Sequence, residues 1–299
     1  MPSFVEKMWR RRGFPLRVLR WHLLRHRHPT LTARTHRQGV FTVYSADRAI
    51  GRKVFWNGEY EWDMTVQLMS CLAKLDKLPP KGRGTMLDIG ANIGVSSIGI
   101  ICGGWMERAV AIEPDPNNFA LLKQNASQNG LGERVICLQY AASDRKGKVG
   151  FEQSEKNFGD HRVRAGAAGS AGGRYGEAGL RVIEVESDTV DHLLENQPRA
   201  FVDDLALVWL DTQGHEGQIF RGAPKLFSRD LPVVAEVWPY GIARSGLPLE
   251  EYGRIAKGTW GSYWVLRGGR YVQRPMTQFD LLFEELGSEG RFENAIFLK

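Results

Sequence analysis

The stretch that decides the fold is Asp88-Ile89-Gly90-Ala91-Asn92-Ile93-Gly94. It follows a short apolar run, residues 85–89, and precedes the apolar residues of a helix beginning near Val95. Gly90 permits a tight turn at the carboxyl end of the strand, and Asn92 is a non-glycine residue that tolerates left-handed backbone. Gly94 allows the helix and the strand to approach closely. The pattern predicts a strand–loop–helix unit, with or without a ligand at the loop.

An acidic residue follows this loop at an informative distance. Glu113 stands at the end of the next apolar run after Gly90. A carboxylate placed there, roughly 20 residues beyond the loop, can accept hydrogen bonds from both hydroxyls of a ribose. Since parallel strands end at the same edge of a sheet, we expect Asp88 and Glu113 to lie at one ligand-binding edge.

Working outward, apolar segments typical of strands alternate with segments typical of helices. The predicted strands are residues 85–89, 109–113, 135–140, 205–210 and 232–238. Such alternation predicts an α/β fold built on a parallel sheet. Residues 148–152 and 181–186 alternate as the arms of an inserted β-hairpin, and residues 263–267 and 295–298 are expected to be antiparallel edge strands. Residues 165–179 contain six glycines and five alanines and are interpreted as the hairpin tip, either a neutral insertion or a lid.

The N-terminal segment 1–28 carries eight Lys and Arg against one acid, Glu6. Apolar residues at helical spacing predict a basic amphipathic helix, broken near Gly13-Phe14-Pro15, followed by a short β-hairpin from residues 40–44 and 53–56. This helix either contacts an anionic membrane surface or is a solvated helix packed on the domain or on a partner chain. We therefore divide the chain into an extension, residues 1–57, and a main domain, residues 58–299.

Composition excludes several classes of protein. The 299 residues are 42% hydrophobic and 25% charged, as in a globular protein and unlike a disordered chain or a rod. Because the positive charge is concentrated in the segment 1–28, no nucleic-acid partner is expected. The three separated cysteines, Cys71, Cys102 and Cys137, favour a reducing compartment. We accordingly expect a cytoplasmic protein, with peripheral contact at the inner membrane surface if the helix binds lipid.

The composition of the loop narrows the choice of ligand. It lacks one glycine of the dinucleotide pattern GxGxxG and contains neither Lys nor Arg, whereas Asp88 and Glu113 supply negative charge. This favours a cationic adenosine ligand without phosphate, S-adenosyl-L-methionine, over a pyrophosphate. The alternatives are an NAD-dependent oxidoreductase and a membrane-associated adaptor that uses the basic N-terminus.

Several further motifs give the chain a family resemblance. They are Gly58-Glu59-Tyr60-Glu61, Glu113-Pro114-Asp115, Ala141-Ala142-Ser143-Asp144, Leu210-Asp211-Thr212-Gln213-Gly214-His215-Glu216 and Val233-Val234-Ala235-Glu236. Together with the Asp88–Gly94 loop they resemble the FkbM-type S-adenosylmethionine-dependent methyltransferases across residues 58–236. The family usually has Lys and Glu where this chain has Trp209 and Gln213.

The resemblance implies a class I methyltransferase-like Rossmann fold, with a mostly parallel seven-stranded sheet. It also implies methyl transfer from S-adenosyl-L-methionine to a hydroxyl oxygen of a small molecule such as a sugar or glycan. The residues that would bind the cofactor are Asp88, Gly90, Asn92 and Gly94 at its methionine end, Glu113 at the ribose and Asp144 near the adenine. Asp144 is alternatively a turn residue in Ser143-Asp144-Arg145-Lys146-Gly147.

A hydroxyl acceptor must lose a proton, which requires a general base. The candidates are Asp211 and His215, which follow the fourth predicted strand, and His161 on the hairpin insertion. His215 alternatively belongs only to the first turn of a helix. No essential metal is expected, because the spacing of the acids and histidines matches no compact metal motif.

Overall fold

The structure, a computed structural model, describes residues 4–164 and 180–299. The predicted hairpin tip, residues 165–179, lies outside the described residues. In the part of the chain that is described, no helix combines the length and the apolar character needed to cross a membrane.

The N-terminal segment contains helices and one hairpin. In chain order these are α1 (Phe4–Leu24), β1 (Thr30–Arg34), β2 (Val40–Tyr44), α2 (Ile50–Asn57) and α3 (Trp62–Lys74). Strands β1 and β2 form an antiparallel pair, with Leu31 opposite Val43.

Two predictions for this segment are wrong. The first is the break near Pro15, since α1 continues through that residue. Phe14 lies edge-on to Trp56 of α2, with ring centroids 6.1 Å apart, and Trp21 packs on Phe55 at 5.3 Å. Residues on both sides of Pro15 therefore contact the same neighbouring helix, which offsets the helix-breaking tendency of proline.

The second wrong prediction is the strand at residues 53–56, which belongs to helix α2. Val54 and Phe55 are buried together with Ile50 and Gly51, and this spacing of three and four residues is helical rather than strand-like. The hairpin predicted for this region forms instead between β1 and β2, upstream of it.

Strands and helices then alternate as predicted. The elements up to the insertion are β3 (Thr85–Ile89), α4 (Val95–Cys102), β4 (Arg108–Ile112), α5 (Pro116–Gln128) and β5 (Val135–Leu138). The insertion contains β6 (Ala141–Ala142), β7 (Gly147–Gln153), β8 (Arg162–Val163) and β9 (Arg181–Asp188), in the sheet order β6-β9-β7-β8. Strands β7 and β9 are antiparallel, which confirms the predicted hairpin arms.

The remaining elements complete the main sheet and its covering helices. They are α6 (Val190–Glu195), α7 (Arg199–Val202), β10 (Leu205–Leu210), α8 (Glu216–Gly222), α9 (Pro224–Ser228), β11 (Val233–Val237), α10 (Pro239–Arg244), α11 (Leu249–Thr259), β12 (Ser262–Arg267), β13 (Arg270–Pro275), α12 (Phe279–Leu286) and β14 (Glu293–Leu298). One helix predicted between residues 217 and 227 is two helices, because Pro224 cannot continue the hydrogen bonding of α8.

The main sheet has the strand order β13-β12-β14-β11-β10-β3-β4-β5. Strands β11, β10, β3, β4 and β5 are parallel, and β12, β13 and β14 pair antiparallel at one edge. The mostly parallel α/β sheet with antiparallel C-terminal strands is thus confirmed. The main sheet has eight strands among the described residues in place of the predicted seven, because Gly268 and Gly269, both with positive φ, turn the chain from β12 into β13.

Alternate residues of the parallel strands face two separate apolar layers. On β3, Leu87 packs with the C-terminal helices, whereas Met86 packs with the N-terminal segment. Trp21, Phe41 and Val43 lie in this second layer, so the N-terminal segment covers one face of the sheet. The loops that follow β3, β4 and β10 lie at the edge of the sheet, between these two apolar layers.

Candidate functional site

The order of the strands places a crevice beside β3. Chain connections leave β3 towards β4 on one side, while β10 lies on the other. Open α/β sheets bind ligands at such a reversal of strand order, outside the carboxyl ends of the strands. Two adjoining cavities occupy this position, and both are lined by Gly90, Asn92 and Asp211.

The first cavity encloses about 580 Å³ of free space and has mainly apolar walls. We call it the apolar cleft. The ends of β3, β4 and β6 contribute Ile89, Ile112 and Ala142 to its wall. The insertion supplies the opposite wall through Phe151, Phe158, His161, Arg162 and Val163.

The second cavity encloses about 1160 Å³ and is markedly more polar. We call it the acidic chamber. Four carboxylate side chains line it, those of Glu61, Asp88, Asp211 and Glu236. Lys53 is the basic residue among the described lining residues, and its ammonium lies 5.2 Å from the centre of the Tyr60 ring.

The glycine loop has the backbone geometry predicted from its sequence. Gly90, Asn92 and Gly94 have φ values of +86°, +52° and +87°. A Cβ atom on Gly90 would lie 1.9 Å from the carbonyl oxygen of Asp211, so only glycine lets the loops after β3 and β10 meet. A Cβ on Gly94 would come within 2.7 Å of side-chain atoms of Ile98 and Leu122.

Glu113 is bonded directly to this loop. Its Oε2 accepts a hydrogen bond from the backbone N–H of Asn92 at 2.8 Å, and its Oε1 accepts one from the backbone N–H of Asp115 at 2.9 Å. The Asn92 side-chain amide in turn donates to the carbonyl of Phe158 at 2.7 Å, which attaches the loop to the insertion. Each carboxylate oxygen keeps a second acceptor position, as binding of a diol requires.

Asp88 lies below the loop and is buried. Its Oδ2 accepts a hydrogen bond from the backbone N–H of Ser97 at 3.1 Å, at the start of α4. Burial raises the pKa of Asp88 to about 6, although the Ser97 bond opposes the shift. Burial also raises the pKa of Glu113 to about 8, with a further contribution from the charge of Asp115. A positively charged ligand nearby would therefore favour the ionised form of both carboxylates.

Asp211 stands at the junction of the apolar cleft and the acidic chamber. Gln213, at φ +56°, donates its side-chain N–H to Asp211 Oδ1 at 2.6 Å and to Glu236 Oε2 at 3.2 Å. The surrounding protein raises the pKa of Asp211 to about 7, mainly by desolvation and then by the charge of Glu216, although the residue is partly exposed at its surface. The pKa of Glu236 is also raised, by burial and by the charge of Asp211.

His215 and His161 line the apolar cleft, and one nitrogen of each ring lies within hydrogen-bond distance of another protein group. His215 is the N-terminal flanking residue of α8, and its Nε2 lies 2.9 Å from the hydroxyl of Ser143. Burial lowers its pKa to about 4, so the ring is neutral at pH 7. His161 places Nε2 3.1 Å from the carbonyl oxygen of Ser154, which requires a proton on that nitrogen.

Asp144 lies outside the residues that line either cavity. Its Oδ1 is 3.5 Å from Arg145 Nε, and its near neighbours Ala141 and Ala142 do line the apolar cleft. No group of three or more His, Cys, Asp or Glu side chains among residues 4–164 and 180–299 is arranged to hold a metal ion. The absence of an essential metal stays a prediction.

Several lining residues had no assigned role in the sequence. Glu61 and Glu236 belong to sequence motifs of the family, but the sequence does not show that the two side chains line one cavity. Tyr140 ends a predicted strand but had no assigned role, and Phe158 comes from the insertion. Ile50 and Lys53 lie in α2, part of which was predicted as a strand, and reach the site only because the N-terminal segment packs over the sheet.

The fold is that of the open α/β proteins, in which the carboxyl ends of the parallel strands form a ligand-binding edge. The match to the FkbM methyltransferase domain covers residues 88–255, and the chain belongs to that family. Family membership supports S-adenosylmethionine-dependent methyl transfer, as the sequence predicted. No curated protein sequence matches the chain.

Solved methyltransferase structures are similar to the chain at low identity. The FkbM methyltransferase of Methylobacillus flagellatus is 15% identical with a TM-score of 0.44, over 77% of this chain and 47% of its own. The chain thus spans about half the length of that relative. The C-terminal domain of precorrin-6Y C5,15-methyltransferase from Rhodobacter capsulatus is 14% identical with a TM-score of 0.38, over 79% and 89%. TYW2 of Pyrococcus horikoshii, solved in complex with MeSAdo, is 15% identical with a TM-score of 0.35, over 73% and 56%.

Proposed function

We propose that this protein transfers the methyl group of S-adenosyl-L-methionine to a hydroxyl oxygen of a small polar molecule, such as a sugar. The single observation that carries the proposal is the pair of adjoining cavities with Asp211 at their junction. The apolar cleft suits an adenosine, and the acidic chamber suits a polyhydroxylated acceptor.

The residues of the apolar cleft fit the cofactor. Its aliphatic and aromatic walls are suited to a flat base, and Glu113 offers acceptor positions to two adjacent hydroxyls. Asp88 and Asp211 supply negative charge near the Gly90 turn, where the cationic end of the ligand would lie. When bound, S-adenosylmethionine supplies an activated methyl group on a sulfonium, so the protein contributes mainly orientation and proton removal.

The acidic chamber is built to hold hydroxyl groups. Carboxylates of Glu61, Asp211 and Glu236 accept hydrogen bonds, and Trp209, which is 4% exposed, forms a small part of the wall beside them. A sugar presents this combination of hydroxyl donors and a C–H face. The chamber and the cleft share Gly90 and Asn92 as lining residues, so an acceptor in the chamber would approach the methionine end of the cofactor.

Asp211 is the general base in this proposal. It reaches both cavities, and its raised pKa of about 7 lets it accept a proton near neutral pH. Gln213 orients the carboxylate by its 2.6 Å hydrogen bond. His215 and His161, the other candidates, line the cleft with Nε2 committed to Ser143 and Ser154, and positioning the walls of the cleft is the role that fits their contacts.

The test has two stages, binding and transfer. Calorimetry with S-adenosylmethionine, S-adenosylhomocysteine and NAD should show binding of the first two only. Incubation with methyl-deuterated S-adenosylmethionine and a panel of monosaccharides, polyols and amines should then label oxygen, as read by mass spectrometry of the product. Asp211→Asn should keep the affinity for S-adenosylhomocysteine and lose transfer at least 100-fold.

Binding of NAD in preference to S-adenosylmethionine would contradict the proposal and favour the oxidoreductase. Labelling of nitrogen in place of oxygen would keep the cofactor and overturn the acceptor. Full transfer activity in Asp211→Asn would remove the base assignment.

A further inference from the structure

The exposed side of helix α1 carries an apolar stripe that the fold does not use. Leu16, Leu19 and Leu23 are 65%, 56% and 59% exposed, among the largest values for apolar side chains in the described residues. On the other side of the same helix Trp21 is 1% exposed and packs on Phe55. At about 100° per residue, the three leucines lie on the side of the helix opposite Trp21.

The orientation of this stripe is fixed by contacts on the opposite side. Trp21 belongs to the apolar layer under the sheet, and the guanidinium of Arg17 donates to the carbonyl oxygen of Arg34 at 3.3 Å. Phe14 and His22 both lie against the Trp56 ring. The helix therefore cannot rotate to bury its leucines without exposing Trp21.

Positive charge surrounds the stripe. Arg20 is exposed next to Leu19, and Arg27 is exposed just beyond the C-terminal end of the helix. A shallow depression at that end is lined by Arg25, His26, Arg48 and Lys156, with Glu155 as the acid among its described lining residues. The sequence of segment 1–28 contains a single acid, Glu6.

We propose that α1 lies on an anionic lipid surface, with Leu16, Leu19 and Leu23 inserted at the headgroup boundary and the surrounding arginines on the lipid phosphates. A helix with an apolar face and a cationic border binds membranes in this way. The charge selects the occupant: a second copy of this chain would bring like charge against like, whereas an anionic bilayer complements both the leucines and the arginines. The proposal does not depend on the methyl-transfer activity, because no described side chain of α1 lines the apolar cleft or the acidic chamber.

Co-sedimentation of the full chain with vesicles tests this surface. Vesicles of phosphatidylcholine with phosphatidylglycerol should bind the protein at least tenfold better than phosphatidylcholine alone, and binding should weaken at high salt because screening removes the charge attraction. Leu16→Ser/Leu19→Ser/Leu23→Ser should reduce binding at least tenfold. Arg20→Glu/Arg27→Glu should do the same and abolish the preference for the anionic vesicle. The matched control is Leu281→Ser, a 45% exposed leucine on α12, which should leave binding unchanged.

The melting temperature and S-adenosylhomocysteine affinity of every variant show whether the fold is kept. Equal binding by the wild type and the triple serine variant would overturn the proposal, as would equal binding to neutral and anionic vesicles. Light scattering in solution tests whether a second copy of the chain covers the leucines instead. A dimer that the triple serine variant converts to monomer would assign the stripe to a second copy and also overturn the proposal.

Discussion

Glu113 Oε2 accepts a hydrogen bond from the backbone N–H of Asn92 at 2.8 Å. The acid at the end of one strand thereby fixes the left-handed residue of the loop that follows the neighbouring strand. The same carboxylate that is expected to bind the ribose also shapes the loop next to it, so binding and loop conformation depend on one side chain.

Replacing Glu113 by Ala should weaken S-adenosylhomocysteine binding by roughly 10- to 100-fold. A hydrogen bond contributes about 0.5–1.5 kcal/mol, and the change removes those to both ribose hydroxyls together with the support of the loop. Titration calorimetry measures the affinity, and Glu133→Ala, an exposed position beyond α5, is the matched control. An unchanged affinity in Glu113→Ala would place the ligand elsewhere.

Gly90→Ala should destabilise the protein far more than the same substitution at Gly104, a glycine with a similar backbone conformation. Gly90 and Gly104 have φ values of +86° and +71°, but a Cβ atom has open space only at Gly104 of the two. We expect Gly104→Ala to cost about 1 kcal/mol of unfolding free energy from backbone strain alone. Gly90→Ala should cost about 3 kcal/mol or more and abolish cofactor binding, because it forces the loops after β3 and β10 apart. Urea denaturation gives both values, and equal losses would contradict the close approach.

The stability of the ligand-free protein should fall as the pH rises from about 4 to about 8. The folded-state pKa values of Asp88, Asp211 and Glu113 are raised to about 6, 7 and 8, above the ordinary values near 4. The folded state then binds more protons than the unfolded state within this window, which makes the slope of unfolding free energy with pH negative. Urea denaturation between pH 4.5 and 8.5 measures the slope.

Binding of a positively charged ligand should have the opposite dependence on pH. Binding of cationic S-adenosylmethionine favours the ionised carboxylates, so it should release protons and strengthen as the pH rises from 6 to 8. Neutral-sulfur S-adenosylhomocysteine should show a weaker dependence, and both ligands carry the same amino group. Calorimetry in two buffers of different ionisation enthalpy counts the protons. Identical counts for the two ligands would argue against the carboxylates facing the sulfonium.

Gln213→Glu tests the bridge between Asp211 and Glu236. The substitution removes the shared N–H donor and adds a third carboxylate, so it should destabilise the protein by roughly 1–3 kcal/mol at pH 8. At pH 5 the protonated acids can share hydrogen bonds, and the loss should shrink. Urea denaturation at the two pH values makes the comparison, and Gln273→Glu, exposed on β13, is the control. A loss independent of pH would indicate a packing effect instead.

The positions of the glycine loop and its acid in the candidate site could be predicted closely from the sequence. Asp88, Gly90, Asn92 and Glu113 occupy the ends of two neighbouring strands, and local rules of backbone conformation and strand periodicity place them there. The conformations at Gly90, Asn92 and Gly94 were predictable for the same reason, since a positive φ depends on the residue itself and its immediate neighbours.

The acidic chamber could not be predicted in this way. Glu61 precedes α3, Gln213 follows β10 and Glu236 lies near the end of β11, and their convergence depends on packing between segments far apart in the chain. The misassigned segment at residues 53–56 has the same origin, because Val54 and Phe55 are buried by contacts that a local pattern does not contain.

The sequence by itself determined the parallel α/β sheet, the glycine loop with its acid, and the basic character of the first helix. These properties follow from the periodicity, the spacing and the charge of residues that are close together in the chain. Only the tertiary structure decided which carboxylates share a cavity, which nitrogen each histidine commits, and that three leucines of the first helix face outward. Each of these depends on which distant surface a side chain meets, and burial and its electrostatic consequences follow from that contact.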